Sequence, residues 1–133
     1  MKTSRRLFAI VFVSLSGSVG ACVHHPATNH RPIIMSLAAV PDSIGQYDSS
    51  LVTCSAHDPD GDVLVYDWIT DARLRISGTR PNQYWLYNTL SPTRAFYPGT
   101  IGSTVLDTGW VQCFARDGRG MSASRTVYIK VHH

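Results

Sequence analysis

The stretch 51–68, LVTCSAHDPDGDVLVYDW, has the pattern of two strands joined by a tight turn. Its middle, DPDGD at 58–62, favours a turn because Asp can cap it and Gly accepts a positive φ. Apolar or aromatic residues occupy alternate positions on either side, which places each set on one face of a strand. The two sets are Val52, Cys54 and Ala56, then Leu64, Tyr66 and Trp68.

Short runs rich in β-branched and aromatic residues continue along the chain, and turn residues separate them. They predict strands over Ile33–Val40, Leu51–His57, Val63–Thr70, Gln83–Leu90, Arg94–Tyr97, Gly109–Arg116 and Ser122–Val131. No stretch keeps the apolar period of a helix. The chain is therefore predicted to be all-β, with residues 71–82 left without an assigned strand.

Two cysteines and a tryptophan stand on three of these strands. The spacing of Cys54, Trp68 and Cys113 resembles the signature of the immunoglobulin fold, with cysteines on strands B and F and the tryptophan on strand C. The resemblance implies an immunoglobulin-like, two-sheet antiparallel sandwich with one inter-sheet disulfide, Cys54 to Cys113. If Cys22 is set aside as the lipid acceptor, two cysteines remain, and this even number agrees with one disulfide. Two free, buried cysteines are the alternative.

A second resemblance runs from Arg31 to Val131 and rests on the order of several motifs. These are RPII (31–34), LVTC (51–54), DPDGD (58–62), YDW (66–68), RDGRG (116–120) and SRTV (124–127). The order resembles PKD-like and related immunoglobulin-like modules of bacterial surface proteins. The resemblance implies a spacer, adhesion or ligand-binding unit. The chain has WITDA at 68–72 where the PKD hallmark is WDFGDG, and Val111 where the immunoglobulin tyrosine corner has its tyrosine.

Residues 1–21 have the layout of a secretory signal peptide. Lys2, Arg5 and Arg6 precede an apolar run that small residues follow. The apolar run is shorter than the roughly 20 residues of a permanent membrane helix, so removal is expected. The pair Arg5-Arg6 also resembles the twin-arginine motif, which leaves general secretion and twin-arginine export open.

The run VGAC at 19–22 resembles the bacterial lipobox. It implies a diacylglycerol thioether on Cys22 and an acylated amine, for example with palmitate, and two or more acyl chains attach a protein stably to a membrane. Val23 after the cysteine favours the outer membrane in a Gram-negative host. A signal peptide followed by a chance cysteine is the alternative. Residues 22–32 are then a polar tether and residues 33–131 one domain.

The basic excess comes from the predicted signal peptide. The chain has 12 Lys and Arg against 9 Asp and Glu, and Lys2, Arg5 and Arg6 lie in the segment that is expected to be removed. The remainder is balanced in charge, without the clustered basic residues that nucleic-acid binding requires. No nucleic-acid partner is therefore expected.

Alternating carboxylates around Gly61 form a candidate calcium site. Asp58, Asp60 and Asp62 offer the hard oxygen ligands that calcium prefers. Asp117 lies in a loop that an immunoglobulin-like sandwich places at the same end. A plain turn explains the same residues without a metal, and the chain contains no Glu to act as a bidentate ligand.

A further candidate site follows from strand periodicity. If Cys113 faces the core, its neighbours at even positions face outward. The outward side chains would form an apolar binding face, which consists of Val65, Ile69, Trp110, Phe114 and Tyr128. Folding of residues 71–90 over this face is the alternative.

The residues favour a protein that is not an enzyme. His57 beside Asp58 has no recognisable Ser or Cys nucleophile, and the other histidines lie near the two chain ends, which this fold keeps apart. We expect a lipid-anchored binding or adhesion module for a protein or glycan partner at the cell envelope. A structural spacer or assembly subunit of an envelope complex is one alternative, and a small envelope enzyme is another.

Overall fold

The computed structural model describes residues 28–99 and 107–132. All regular secondary structure within these residues is β-strand. The strands are β1 (Ile33–Val40), β2 (Ser43–Gly45), β3 (Ser50–His57), β4 (Val65–Thr70), β5 (Leu74–Ile76), β6 (Trp85–Thr89), β7 (Thr93–Pro98), β8 (Asp107–Arg116) and β9 (Ser122–His132). In this part of the chain there is no helix long and apolar enough to cross a bilayer.

The strands form two sheets. The four-stranded sheet has the order β1-β3-β7-β5, and the five-stranded sheet has the order β2-β9-β8-β4-β6. This grouping places the strands at the A, B and E positions of the immunoglobulin fold in one sheet and those at C, F and G in the other. The prediction of an all-β, two-sheet sandwich is confirmed. One pairing departs from a fully antiparallel fold, because the short β2 runs parallel to β9.

The core lies between the sheets, where alternate side chains from facing strands meet. Trp68 of β4 is fully buried and packs against Phe96 of β7, with ring centroids 6.0 Å apart and planes inclined by 59°. Val111, Cys113 and Ala115 of β8 are all completely buried. Burial of a large apolar side chain contributes about 2 kcal/mol, so this layer supplies much of the free energy of folding.

The segment 71–90 contributes one edge strand to each of the two sheets. Its first strand, β5, pairs with β7 at the edge of the four-stranded sheet, and its second, β6, pairs with β4 at the edge of the five-stranded sheet. Each strand extends its sheet sideways. The segment therefore does not lie over the outer surface of the five-stranded sheet.

Candidate functional site

The outer surface of the five-stranded sheet carries a set of large apolar and aromatic side chains, which we call the aromatic face. Its members are Val65, Ile69, Trp85, Tyr87, Trp110, Phe114 and Tyr128. Strand register brings them together, since Trp110 lies opposite Tyr128 and Ile69 lies opposite Trp85. All five residues that the sequence indicated are on this face.

The edge of the aromatic face is the most open part. Trp85 is 47% exposed, Tyr87 51% and Tyr128 63%, whereas Trp110 and Phe114 between them are half-buried. Sequence reasoning missed Trp85 and Tyr87, because nothing in the sequence showed which sheet β6 would join. Their aromatic character was the available signal.

An ion pair between the buried carboxylate of Asp67 and the partly exposed guanidinium of Arg116 lies at the centre of the aromatic face. Asp67 is 8% exposed, and Arg116 donates to it from Nε to Oδ2 at 2.6 Å and from Nη2 to Oδ1 at 3.0 Å. The backbone N–H of Asn88 also donates to Asp67 Oδ1, at 2.8 Å. The hydrogen bond with Asp67 raises the pKa of the Arg116 guanidinium. The pair fixes β8, β4 and β6 relative to one another.

Three of the four predicted metal-ligating carboxylates converge at one end of the sandwich. Asp58 and Asp62 from the β3–β4 loop and Asp117 from the β8–β9 loop can place one oxygen each within 4.8 Å of the others. Asp58 Oδ1 accepts the backbone N–H of Asp60 at 2.8 Å, which closes the turn. Arg119 Nη1 lies 3.5 Å from Asp62 Oδ2 and balances part of the negative charge.

Asp60 does not join this cluster. Its carboxylate accepts the backbone N–H of His30 at 2.6 Å and lies 2.8 Å from His30 Nδ1. These contacts lower the pKa of Asp60. The turn that Asp58 closes directs the side chain of Asp60 outward, towards the predicted tether. The Asp60 carboxylate therefore contacts that segment and lies outside the cluster.

The predicted tether also reaches Asp117. Asn29 Nδ2 donates to Asp117 Oδ2 at 2.9 Å. Burial alone would raise the pKa of Asp117, but hydrogen bonds from Asn29 and from the backbone N–H groups of Met121 and Arg119 bring it below its usual value. Two buried oxygens beside these contacts, Asp58 Oδ2 and Asn29 Oδ1, accept no hydrogen bond from the part of the chain that the structure describes. Oxygens of this kind are suitable ligands for a hard cation.

Cys54 and Cys113 face each other across the core. Both are buried, and the two residues approach to 3.6 Å without a bond between them. The contact with Cys54, together with burial, raises the pKa of the Cys113 thiol. Cys22, the predicted lipid acceptor, lies outside the described residues.

Comparisons with known proteins give similarity of fold. No protein-family model matches the chain, and no curated protein matches it. The chain is similar to the PKD1 domain of Vibrio anguillarum Epp, with 17% identity, 79% of this chain and 98% of that domain covered, and a TM-score of 0.49. It is also similar to a nucleoside hydrolase-related hypothetical protein from Saccharophagus degradans that is associated with carbohydrate metabolism. That match has 18% identity, covers 80% of this chain and 26% of the other, and has a TM-score of 0.51.

Proposed function

We propose that this chain is a lipid-anchored, non-catalytic immunoglobulin-like module of the PKD-like type, which binds a protein or glycan partner at the cell envelope through the aromatic face. One observation carries the proposal. Trp85, Tyr87 and Tyr128 are about half exposed or more on the outer surface of one sheet, which also carries the half-buried Trp110 and Phe114.

The energetics of interfaces support a binding role for such a surface. Large aromatic side chains that are exposed together on one surface of a domain are typical of interaction sites. Tryptophan and tyrosine are the residues in which binding energy is concentrated, because each buries a large rigid area with few torsions to order. The Asp67–Arg116 pair links the strands of the face, so a partner would meet an ordered surface.

Three finer features belong to this proposal. The lipobox-like run supports a lipid on Cys22 as membrane anchor. The approach of Cys54 and Cys113 to 3.6 Å supports a disulfide that joins the sheets in an oxidising compartment. The cluster of Asp58, Asp62 and Asp117, with unpartnered oxygens beside it, supports a calcium ion at the loop end.

The test compares variants of the full-length chain expressed in a bacterial host and cross-linked in intact envelopes. Trp85→Ala and Tyr128→Ala should each reduce the cross-linked partner, protein or glycan, by about tenfold or more, since truncation of an aromatic residue that anchors an interface commonly costs about 2 kcal/mol. Leu51→Ala is the matched control, because Leu51 is 50% exposed on the outer surface of the other sheet. Equal cross-linking in all four proteins would reject the aromatic face and favour the spacer.

A further inference from the structure

A pocket of about 390 Å³ lies beside β5, on the other sheet from the aromatic face. Two arginines, Arg75 and Arg80, and the ring of Tyr97 contribute to its walls, together with the hydroxyl-bearing residues Ser77 and Thr79. Among the residues that the structure describes, no carboxylate lines it. A pocket of this size accommodates a ligand of one or two small rings.

Strand pairing and a tight turn position the walls. Arg75 lies opposite Tyr97 in the β5–β7 register, and both are exposed because Leu74 and Ile76 point into the core. Thr79 Oγ1 donates to the carbonyl of Ile76 at 2.8 Å, which closes the turn that leads to Arg80. Arg75, Tyr97 and the turn that leads to Arg80 are thus all held by the edge of the four-stranded sheet.

The pocket carries the positive charges of Arg75 and Arg80, which no described carboxylate neutralises. Within residues 28–99 and 107–132, neither Arg75 nor Arg80 forms an ion pair, whereas Arg73, Arg116 and Arg119 each lie against an aspartate. Arg75 Nε donates to the carbonyl of Pro98 at 3.1 Å, and this bond orients the guanidinium. The remaining N–H groups of both arginines suit an oxyanion, which arginine binds through paired hydrogen bonds.

We propose that this pocket binds an acidic saccharide. The carboxylate or phosphate lies between Arg75 and Arg80, and the sugar ring packs its C–H face on Tyr97, which is 38% exposed. The mixture of one aromatic ring, two cations and hydroxyl groups fits a ring that is apolar on its face, polar at its rim and anionic at one substituent. The site is separate from the aromatic face and does not depend on it.

The test is a titration of the full-length protein, followed through its amide and arginine Nε–H nuclear magnetic resonance signals. The probes are glucuronate, glucose 6-phosphate, glucose and inorganic phosphate. We expect an acidic sugar to shift the signals of Gly78, Thr79 and Arg80. Its dissociation constant should be at least about tenfold lower than that of glucose or of phosphate. The tighter of the two acidic sugars identifies the anion. Equal binding of glucose, equal binding of phosphate, or no shift at about 20 mM acidic sugar would overturn the proposal.

Single-residue variants test whether the acidic sugar binds in this pocket. Arg80→Gln and Tyr97→Ala should each weaken acidic-sugar binding by about tenfold. Arg31→Gln removes the same charge from an exposed residue outside the pocket and should leave binding unchanged, as should Trp85→Ala on the aromatic face. An equal loss in Arg31→Gln would show general charge attraction, and an equal loss in Trp85→Ala would move the sugar to the aromatic face. Either result would overturn the pocket assignment.

Discussion

Gly109 of β8 lies directly against a buried side chain of the opposite sheet. A Cβ atom at this position would stand 2.6 Å from Cγ and 2.7 Å from Cδ1 of Leu74, which is completely buried. Because the core cannot give way freely, Gly109→Ala should lower the free energy of unfolding by about 2 kcal/mol, measured by denaturant titration. Gly118→Ala is the control, since a Cβ there meets nothing within 4 Å. Equal stability of the two variants would contradict the close approach.

The Asp67–Arg116 pair allows a second prediction for single residues. Arg116→Gln leaves the buried carboxylate of Asp67 without its charged donor, so it should destabilise the domain by about 2 kcal/mol. Arg73→Gln provides the comparison, because the side chains of Arg73 and of Asp107, which accepts its shorter hydrogen bond, are 45% and 31% exposed. Exposed pairs of that kind contribute little to stability. Thermal unfolding of both variants measures the difference, and a smaller loss in Arg116→Gln than in Arg73→Gln would refute it.

At the scale of elements, β3 and β8 meet through Cys54 and Cys113. In protein taken from an oxidising envelope, non-reducing mass spectrometry should find the two peptides joined. Reduction should then cost up to about 4 kcal/mol of stability, because the bond closes a long loop in the unfolded chain. The matched control is the same protein purified under reducing conditions. Complete alkylation of both thiols in the native sample would count against the bond.

The loops β3–β4 and β8–β9 give the calcium prediction. Millimolar calcium should raise the unfolding temperature, because an ion that binds only the folded protein stabilises it by mass action. Asp62→Asn should remove this shift, whereas Asp60→Asn should keep it, since Asp60 is outside the cluster. Magnesium is the control cation, as it tolerates irregular oxygen sites poorly. An unchanged unfolding temperature with calcium would leave the loops as plain turns.

The sequence was a good guide to long strands and a poor one to short strands. A run of β-rich residues that ends at Pro41-Asp42 predicted Ile33–Val40 with its observed bounds, but Leu74–Ile76 and Ser43–Gly45 are three residues long and too short to show such a run. The same limit applies to the sites. Outward parity predicted Trp110 and Phe114, whereas the contact of His30 with Asp60 depends on how a distant segment returns, which no local pattern encodes.

For the whole molecule, the decisive prediction concerns Cys22. Cys22→Ala should release the protein from membranes into the soluble envelope fraction, because the lipid chains are the proposed anchor. Cys54→Ala is the matched control, since it removes a cysteine and leaves the lipobox-like run intact, so it should stay with the membranes. Fractionation followed by immunoblotting measures both. Retention of Cys22→Ala in the membrane fraction at the wild-type level would contradict lipid anchoring.

If Cys22 carries a lipid, the contacts of Asn29 with Asp117 and of His30 with Asp60 bring the loop end of the domain towards the membrane. A chain spans at most about 3.6 Å per residue, so a lipid on Cys22 would lie within about 25 Å of Asn29. The loop end of the sandwich would then stand at the headgroups, with the strands upright above it. An upright sheet presents its broad side parallel to the bilayer normal. The partners most accessible to this sheet would therefore be molecules anchored in the same leaflet, which approach it laterally.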